Sequence, residues 1–280
     1  MNGAARLTER IGGPVGAHAR PWGLWFNPLP WSILVAGLSW VVLMLRQVPC
    51  QQHVYGTTVN TYARLCYSDI PLLYQGNGVA TGAGLYSEAG LTHPPLVGAL
   101  VAVCRWLTGL FGADVGASAT GQEQLDASYL FFVLTAVVLF VSFLAVVVVQ
   151  AELGAGSASW ATQGVATRSF DALLVAAAPV VMASGLINWD MLAVALVGLG
   201  VLAWARCRPL VAGVALGAAF STKFFPVLVL VALALVCRRG ARMGAWRACL
   251  GGFAAAWAFI NAPLLLTDPH GWSLYWSSSI

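Results

Sequence analysis

CYSDIPLLYQGNGVATGAGLY, Cys66 to Tyr86, is a polar and aromatic stretch in a chain that is otherwise a succession of apolar runs. It carries Asp69, one of only ten acids among 280 residues. Membrane helices need no acid to fold, and an ionised group at membrane depth costs about 2.5 to 3.5 kcal/mol on insertion scales. The apolar segments are therefore read as the scaffold for this loop. With 59% hydrophobic and 9% charged residues and a mean hydropathy of +0.80, the composition excludes an ordinary soluble domain and predicts an all-α, polytopic membrane protein. Twelve Trp and seven Tyr, many near the ends of apolar runs, fit interfacial belts. The net charge of +4 falls in short clusters between apolar runs, not along one face, so nucleic acid is not an expected partner.

Upstream of the loop, the run Trp31–Val48 is long enough, at about 1.5 Å per residue, to cross roughly 30 Å of hydrocarbon, and Pro49 ends it. Residues 1–30 hold Arg6, Arg10 and Arg20 and show no small-residue cleavage site behind a short apolar core. They are expected to form a cytoplasmic segment, with Trp31 onward a signal anchor and residues 31–280 the membrane domain. The loop, about 50–94, then falls on the exoplasmic side. Its cysteines, Cys50 and Cys66, lie where disulfides persist and are expected to bridge, the alternative being two unpaired buried thiols. Cys207, Cys237 and Cys249 adjoin Arg clusters expected in the cytoplasm.

Downstream come the apolar runs Pro95–Phe111, Tyr129–Val149, Phe170–Ile187, Met191–Ala205, Pro209–Thr222, Val227–Val236 and Cys249–Leu266, giving about seven or eight apolar helices in all. The positive-inside rule places Arg206, Arg208 and the Arg238–Arg247 cluster in the cytoplasm. A cytoplasmic N-terminus then needs an even number of crossings before Arg206, yet five runs precede it. Either one run does not fully cross or the N-terminus lies outside. Pro95–Phe111, the shortest early run, is the candidate for a partly inserted helix, which is tolerated where it lines a protein cavity.

Asp69, Asn188, Asp190 and Lys223 all map to the outer side. A carboxylate there could act as a general base toward an acceptor hydroxyl, and a lysine at the boundary could hold a phosphate as a point charge. Each also has a plainer reading. Asp69 ahead of Ile70-Pro71 suits a helix cap, Asp190 suits the first turn of a helix, Lys223 suits a snorkelling side chain, and His93 before Pro94-Pro95 suits an interfacial residue. No His/Cys set has metal-site spacing and no Gly-rich phosphate loop follows a strand, so neither metal nor cofactor is expected. On spacing alone function stays open.

Four motifs in order carry a resemblance: Cys66-Tyr67-Ser68-Asp69-Ile70-Pro71 with Tyr74 and the Gly-rich tail to Tyr86; Asn188-Trp189-Asp190-Met191-Leu192-Ala193; Arg208-Pro209-Leu210-Val211-Ala212-Gly213; and Lys223-Phe224-Phe225-Pro226. Across about Trp31 to Trp276 the chain resembles actinobacterial members of glycosyltransferase family 87. These are integral-membrane enzymes of the GT-C type that use polyprenyl-phosphate sugars, typically mannose. The resemblance implies that Asp69 accepts the proton of the acceptor hydroxyl and that Lys223 sits near the donor phosphate. It further implies a cavity near Tyr74, His93, Asn188 and Asp190. Membrane lipid, a polyprenyl-phosphate sugar and a glycan or glycolipid acceptor would be its partners, and the cell membrane its place.

Two departures qualify the resemblance. Many relatives carry an acid and Tyr-Pro where this chain has Thr92-His93-Pro94-Pro95, and relatives continue for several helices past the point matched by Trp272–Ser279. The resemblance thus implies the N-terminal part of a GT-C domain. A transporter subunit with Asp69, Asp190 and Lys223 along a solute path is the alternative, as is an inactive scaffold; the absence of self-similarity between halves weighs against the transporter.

Overall fold

The computed structural model describes residues 27–51, 54–76, 78–113, 116–158 and 170–279. The expected cytoplasmic segment lies, up to residue 26, outside the described residues. Helices supply the regular structure, with no strand among the described residues, and the chain is an all-α membrane protein. Helix α1, Pro28–Gln47, begins three residues before the expected run because Asn27 caps it: its Oδ1 accepts the Leu29 N–H at 3.2 Å, with Pro28 at the first helical position. Ala36, Trp40 and Leu43 face the core, while Leu34, Leu38 and Leu45 are exposed, as a lipid-facing stripe requires.

A short helix, α2, Asp69–Gly76, lies within the long loop, followed by α3, Pro95–Leu110. The run Tyr129–Val149 proves to be the centre of a much longer helix, α4, Gly121–Ala158. Its early start has a local cause. The Thr120 N–H donates to Glu123 Oε2 at 2.6 Å and the Glu123 N–H to Thr120 Oγ1 at 3.3 Å, a reciprocal capping box. The run Phe170–Ile187, expected as one helix, is instead two, α5 at Asp171–Ala176 and α6 at Pro179–Ser184. Pro179 has no N–H to donate and its ring would clash with the carbonyl four residues back, so the chain breaks ahead of it. Then come α7, Asp190–Ala205; α8, Pro209–Phe220; α9, Pro226–Arg239; α10, Met243–Thr267; and α11, Pro269–Ser279.

Among the described residues three segments, Pro28–Cys50, Gly121–Gly154 and Met243–Thr267, are long and apolar enough to cross a membrane by length and composition; Pro95–Leu110, Asp190–Ala205, Pro209–Phe220 and the broken stretch Asp171–Ser184 are shorter and apolar. Helix ends gather on two faces. The loop packs at one, and at the other Arg206, just past α7, pairs with Glu152 near the end of α4 at 2.8 Å. Helix α3 meets the loop and the end of α8. The Leu96 N–H donates to the Ser221 carbonyl beyond α8 at 2.9 Å, and Arg105, far along the same helix, lies beside Gly82 of the loop.

Helices α8 and α10 pack backbone to backbone. A Cβ at Gly213 would overlap the Cys249 carbonyl, one at Gly217 the Phe253 carbonyl, and one at Gly252 the Leu210 carbonyl, so only glycine permits this approach. Gly217→Val is therefore expected to prise the pair apart at a cost of about 1 to 3 kcal/mol, the usual range for overpacking. Thermal unfolding in nanodiscs measures it. Gly251→Val is the control, since nothing lies within 4 Å of a Cβ there, and it is expected to leave the melting temperature nearly unchanged.

Candidate functional site

The turn between α6 and α7 is where the loop docks. Arg46, at the end of α1, donates from Nη1 to the carbonyls of Met182 at 2.6 Å and Ala183 at 2.7 Å, and from Nε to the Leu65 carbonyl at 2.5 Å. Ser68 Oγ donates to the Leu186 carbonyl at 2.6 Å and the Asp69 N–H to the Ile187 carbonyl at 2.7 Å. Carbonyls in and just beyond a last helical turn have no intrahelical partner, and here Arg46 of α1 and the loop supply them. Cys50 and Cys66 are bonded, with Cα atoms 6.0 Å apart, and close the segment that leads into α2.

Asp69 does not cap α2. Ser68 takes that role, its Oγ accepting the Ile70 N–H at 3.3 Å, and Asp69 is the first helical residue. Its carboxylate is thereby released, and Oδ1 accepts the Tyr67 hydroxyl at 2.5 Å. That donation, then burial and the carboxylate charge, hold the Tyr67 phenol above the ordinary tyrosine range. Tyr62 stacks on Tyr67 with ring centroids 4.8 Å apart.

Lys223 lies just past α8, its N–H bonded to the Ala219 carbonyl at 3.0 Å, and its ammonium pairs with Asp190, the first residue of α7. Both side chains are 48% exposed, so the pair contributes only about 0.2 to 1 kcal/mol and opens readily to a stronger partner. Asn188 Oδ1 accepts the Asp190 N–H at 3.0 Å, so Asn188 builds the start of α7 instead of facing a ligand with that oxygen. His93 completes the group. Its ring meets Trp189 edge-on at 4.9 Å, and its Nδ1 is buried without a hydrogen-bond partner. Burial lowers its pKa; the charges of Asp69 and Asp190 raise it and that of Lys223 lowers it, each by less. One imidazole thus lies in the field of all three charged groups.

Asp69, His93, Asp190 and Lys223 are therefore brought together at the loop face. Tyr74 is not beside them. It is fully buried on the inner side of α2, its ring 4.7 Å from Phe131 of α4. Three contributors were missed in the sequence. Tyr67 orients Asp69 from two residues upstream. Trp189, buried in the core, walls His93. Asn261, 3% exposed in the last two turns of apolar α10, donates to the Trp257 carbonyl at 2.9 Å and Ser221 Oγ at 3.4 Å and accepts Trp272 Nε1 at 3.3 Å. It ties α10 and α11 to the turn that carries Lys223, and a lone amide in an apolar helix was its signal. Among the described residues no three of His, Cys, Asp and Glu cluster to hold a metal ion.

A helical membrane protein that gathers two carboxylates, a lysine and a histidine with a buried ring nitrogen at the joined ends of its helices is the class defined by fold and site. The chain belongs to glycosyltransferase family 87, whose family model matches residues 91–279, and is a membrane glycosyltransferase. That match holds His93, Asn188, Asp190, Lys223 and Asn261, whereas Asp69 and the disulfide precede it. No curated protein and no solved structure matches the chain.

Burial keeps the folded-state pKa of His93 below the value of about 6.5 for a free histidine. The unfolded chain then takes up that proton first as the pH falls, so stability is full above about pH 6.5 and is lost as pH drops from there through the folded value. His93→Gln is expected to flatten this acid limb, as read from melting temperature against pH in nanodiscs.

Proposed function

We propose that this glycosyltransferase moves a hexose, with mannose the first candidate, from a polyprenyl-phosphate sugar to a hydroxyl of a glycan or glycolipid acceptor. The transfer takes place at the exoplasmic face of the cell membrane. The observation that carries the reading is the convergence of Asp69 with the Asp190–Lys223 pair around His93, from three separate parts of the chain. Asp69 accepts the proton of the acceptor hydroxyl. The acceptor oxygen bonds to the anomeric carbon as the bond from that carbon to the phosphate oxygen breaks, the electron pair leaves with the polyprenyl phosphate, and the configuration inverts. Tyr67 holds Oδ1 of Asp69, which leaves Oδ2 for the incoming proton.

Lys223 meets the donor phosphate. Its partner Asp190 holds the ammonium in place before the donor arrives, and the low worth of an exposed pair lets the phosphate share it at little cost. The orientation follows from charge. Arg206, Arg208 and the Arg238–Arg247 cluster flank helix ends away from the loop, and cytoplasmic placement of these clusters puts Asp69 and Lys223 outside in a multi-pass arrangement.

Asp69→Asn keeps shape and most hydrogen bonding but removes the base, so kcat is expected to fall on the order of 10²-fold or more. Lys223→Ala is expected to raise KM for the donor as well as lower kcat. Transfer of labelled hexose from a short-chain polyprenyl phosphate in nanodiscs measures both. Wild-type rates in well-folded Asp69→Asn would remove the base assignment, and a wild-type protein that consumes no such donor would turn the site toward a solute path.

A further inference from the structure

Helices α8 and α10 run parallel, since Gly213 meets Cys249 and, one turn on, Gly217 meets Phe253. Their starts, Pro209 and Met243, therefore lie at one end of the domain. Helix α9 packs on both, is tied to α10 by Trp246 Nε1 donating to the Leu230 carbonyl at 3.2 Å, and ends there at Arg239. Two tight turns at this end carry charge. Arg206 and Arg208 stand between α7 and α8, where the Arg208 N–H donates to the Ala203 carbonyl at 2.9 Å; Arg238, Arg239 and Arg242 surround the turn from α9 to α10, where the Arg242 N–H donates to the Cys237 carbonyl at 2.9 Å. Arg247 follows in the first turns of α10. Six guanidiniums thus share the ends of four packed helices.

The charge at this end is in surplus. All six side chains are exposed, and only Arg206 has a partner, Glu152; the other five enter no hydrogen bond or ion pair among the described residues. The two acids outside the described residues, Glu9 and Asp114, could not neutralise five guanidiniums. Orientation in a membrane needs only a count of positive charges beside a span, whereas charges set on touching helices also repel one another. Every one of these cations is arginine, while the chain's single lysine, Lys223, lies at the other end of α8. A planar guanidinium binds two oxygens of one phosphate, which a compact ammonium does not match. Within one turn of the arginines, Leu210, Val211, Leu235 and Val236 are each more than half exposed. An amphiphile with a phosphate at its head and hydrocarbon behind it answers both features. A soluble anion would use the arginines alone, and a zwitterionic phospholipid would bring its own cation to them.

We propose that the arginine end of α7 to α10 is a binding site for an anionic phospholipid of the leaflet it faces. Guanidiniums from both turns hold the headgroup phosphate, and the acyl chains lie along the exposed flanks of α8 and α9. The site is one length of α8, about 18 Å, from Lys223, and it stands apart from the glycosyl-transfer reading. The test titrates the detergent-solubilised full chain with phosphatidylglycerol and, separately, with phosphatidylcholine, counting bound lipid by native mass spectrometry. Wild-type protein is expected to bind phosphatidylglycerol on the order of 10²-fold more tightly, and the combined Arg238→Gln, Arg239→Gln and Arg242→Gln variant to lose that preference. Arg64→Gln, which removes an exposed guanidinium from the loop instead, should keep it. Should the triple variant not fold, Arg247→Gln alone is expected to weaken phosphatidylglycerol about fivefold. Equal retention of the two lipids by the wild type, a preference that survives the triple substitution or falls as far in Arg64→Gln, an unchanged affinity in Arg247→Gln, or displacement of the lipid by millimolar inorganic phosphate would overturn the proposal.

Discussion

The carbonyls at the end of α6 cannot remain unpaired at the edge of a membrane domain, and the way they are satisfied determines the arrangement of the site. Their donors are Arg46, Ser68 and the Asp69 amide, all from the first quarter of the chain. By accepting those bonds the turn before α7 fixes the start of α2, and with it the position of the Asp69 carboxylate. The same turn continues through Asn188 into Asp190. One break in an otherwise apolar hairpin thus orients two acids at once. The break itself begins at Gly185, the residue that caps the end of α6.

The second half of the chain reaches this turn by a different route. Close glycine contacts lock α8 onto α10, and Asn261 then fastens Ser221 to α10 and α11. Ser221 in turn accepts the Leu96 N–H, so the His93 segment and the Lys223 segment share one anchor. Neither Lys223 nor His93 relies on a long, flexible connection. Their backbone is held by groups inside the domain, and only the exposed ends of Lys223 and Asp190 remain adjustable.

How much of this was legible in the sequence depended on the kind of signal. Apolar runs are long and bounded by Pro, Arg or Gly, so the helix series and the all-α class were plain. Asp69, Asp190 and Lys223 stood out because charge is rare in such surroundings. Parity of the Arg clusters singled out Pro95–Phe111, whose helix α3 touches the loop where Arg105 lies beside Gly82. The pairing of Lys223 with Asp190 was not readable, since it depends on which helices become neighbours. Tyr74 illustrates a second limit. In an eight-residue helix within a polar loop, no periodicity tells an inward aromatic from one that faces a ligand, and its burial against Phe131 is a tertiary fact. The split of Phe170–Ile187 was masked because both pieces are apolar, although Ala178-Pro179 marked the boundary.

The docking bonds of the loop span great distances along the chain, and this bears on biogenesis. Ser68 finds its carbonyl 118 residues later. At ribosomal rates of about 5 to 20 residues per second, the loop waits roughly 6 to 24 s for its partner to be made. Through that interval the half-built loop lacks the turn that will hold it. The bridge between Cys50 and Cys66 spans only 16 residues and can form long before, so oxidation acts as a temporary clasp that keeps the nascent loop compact until the later helices arrive.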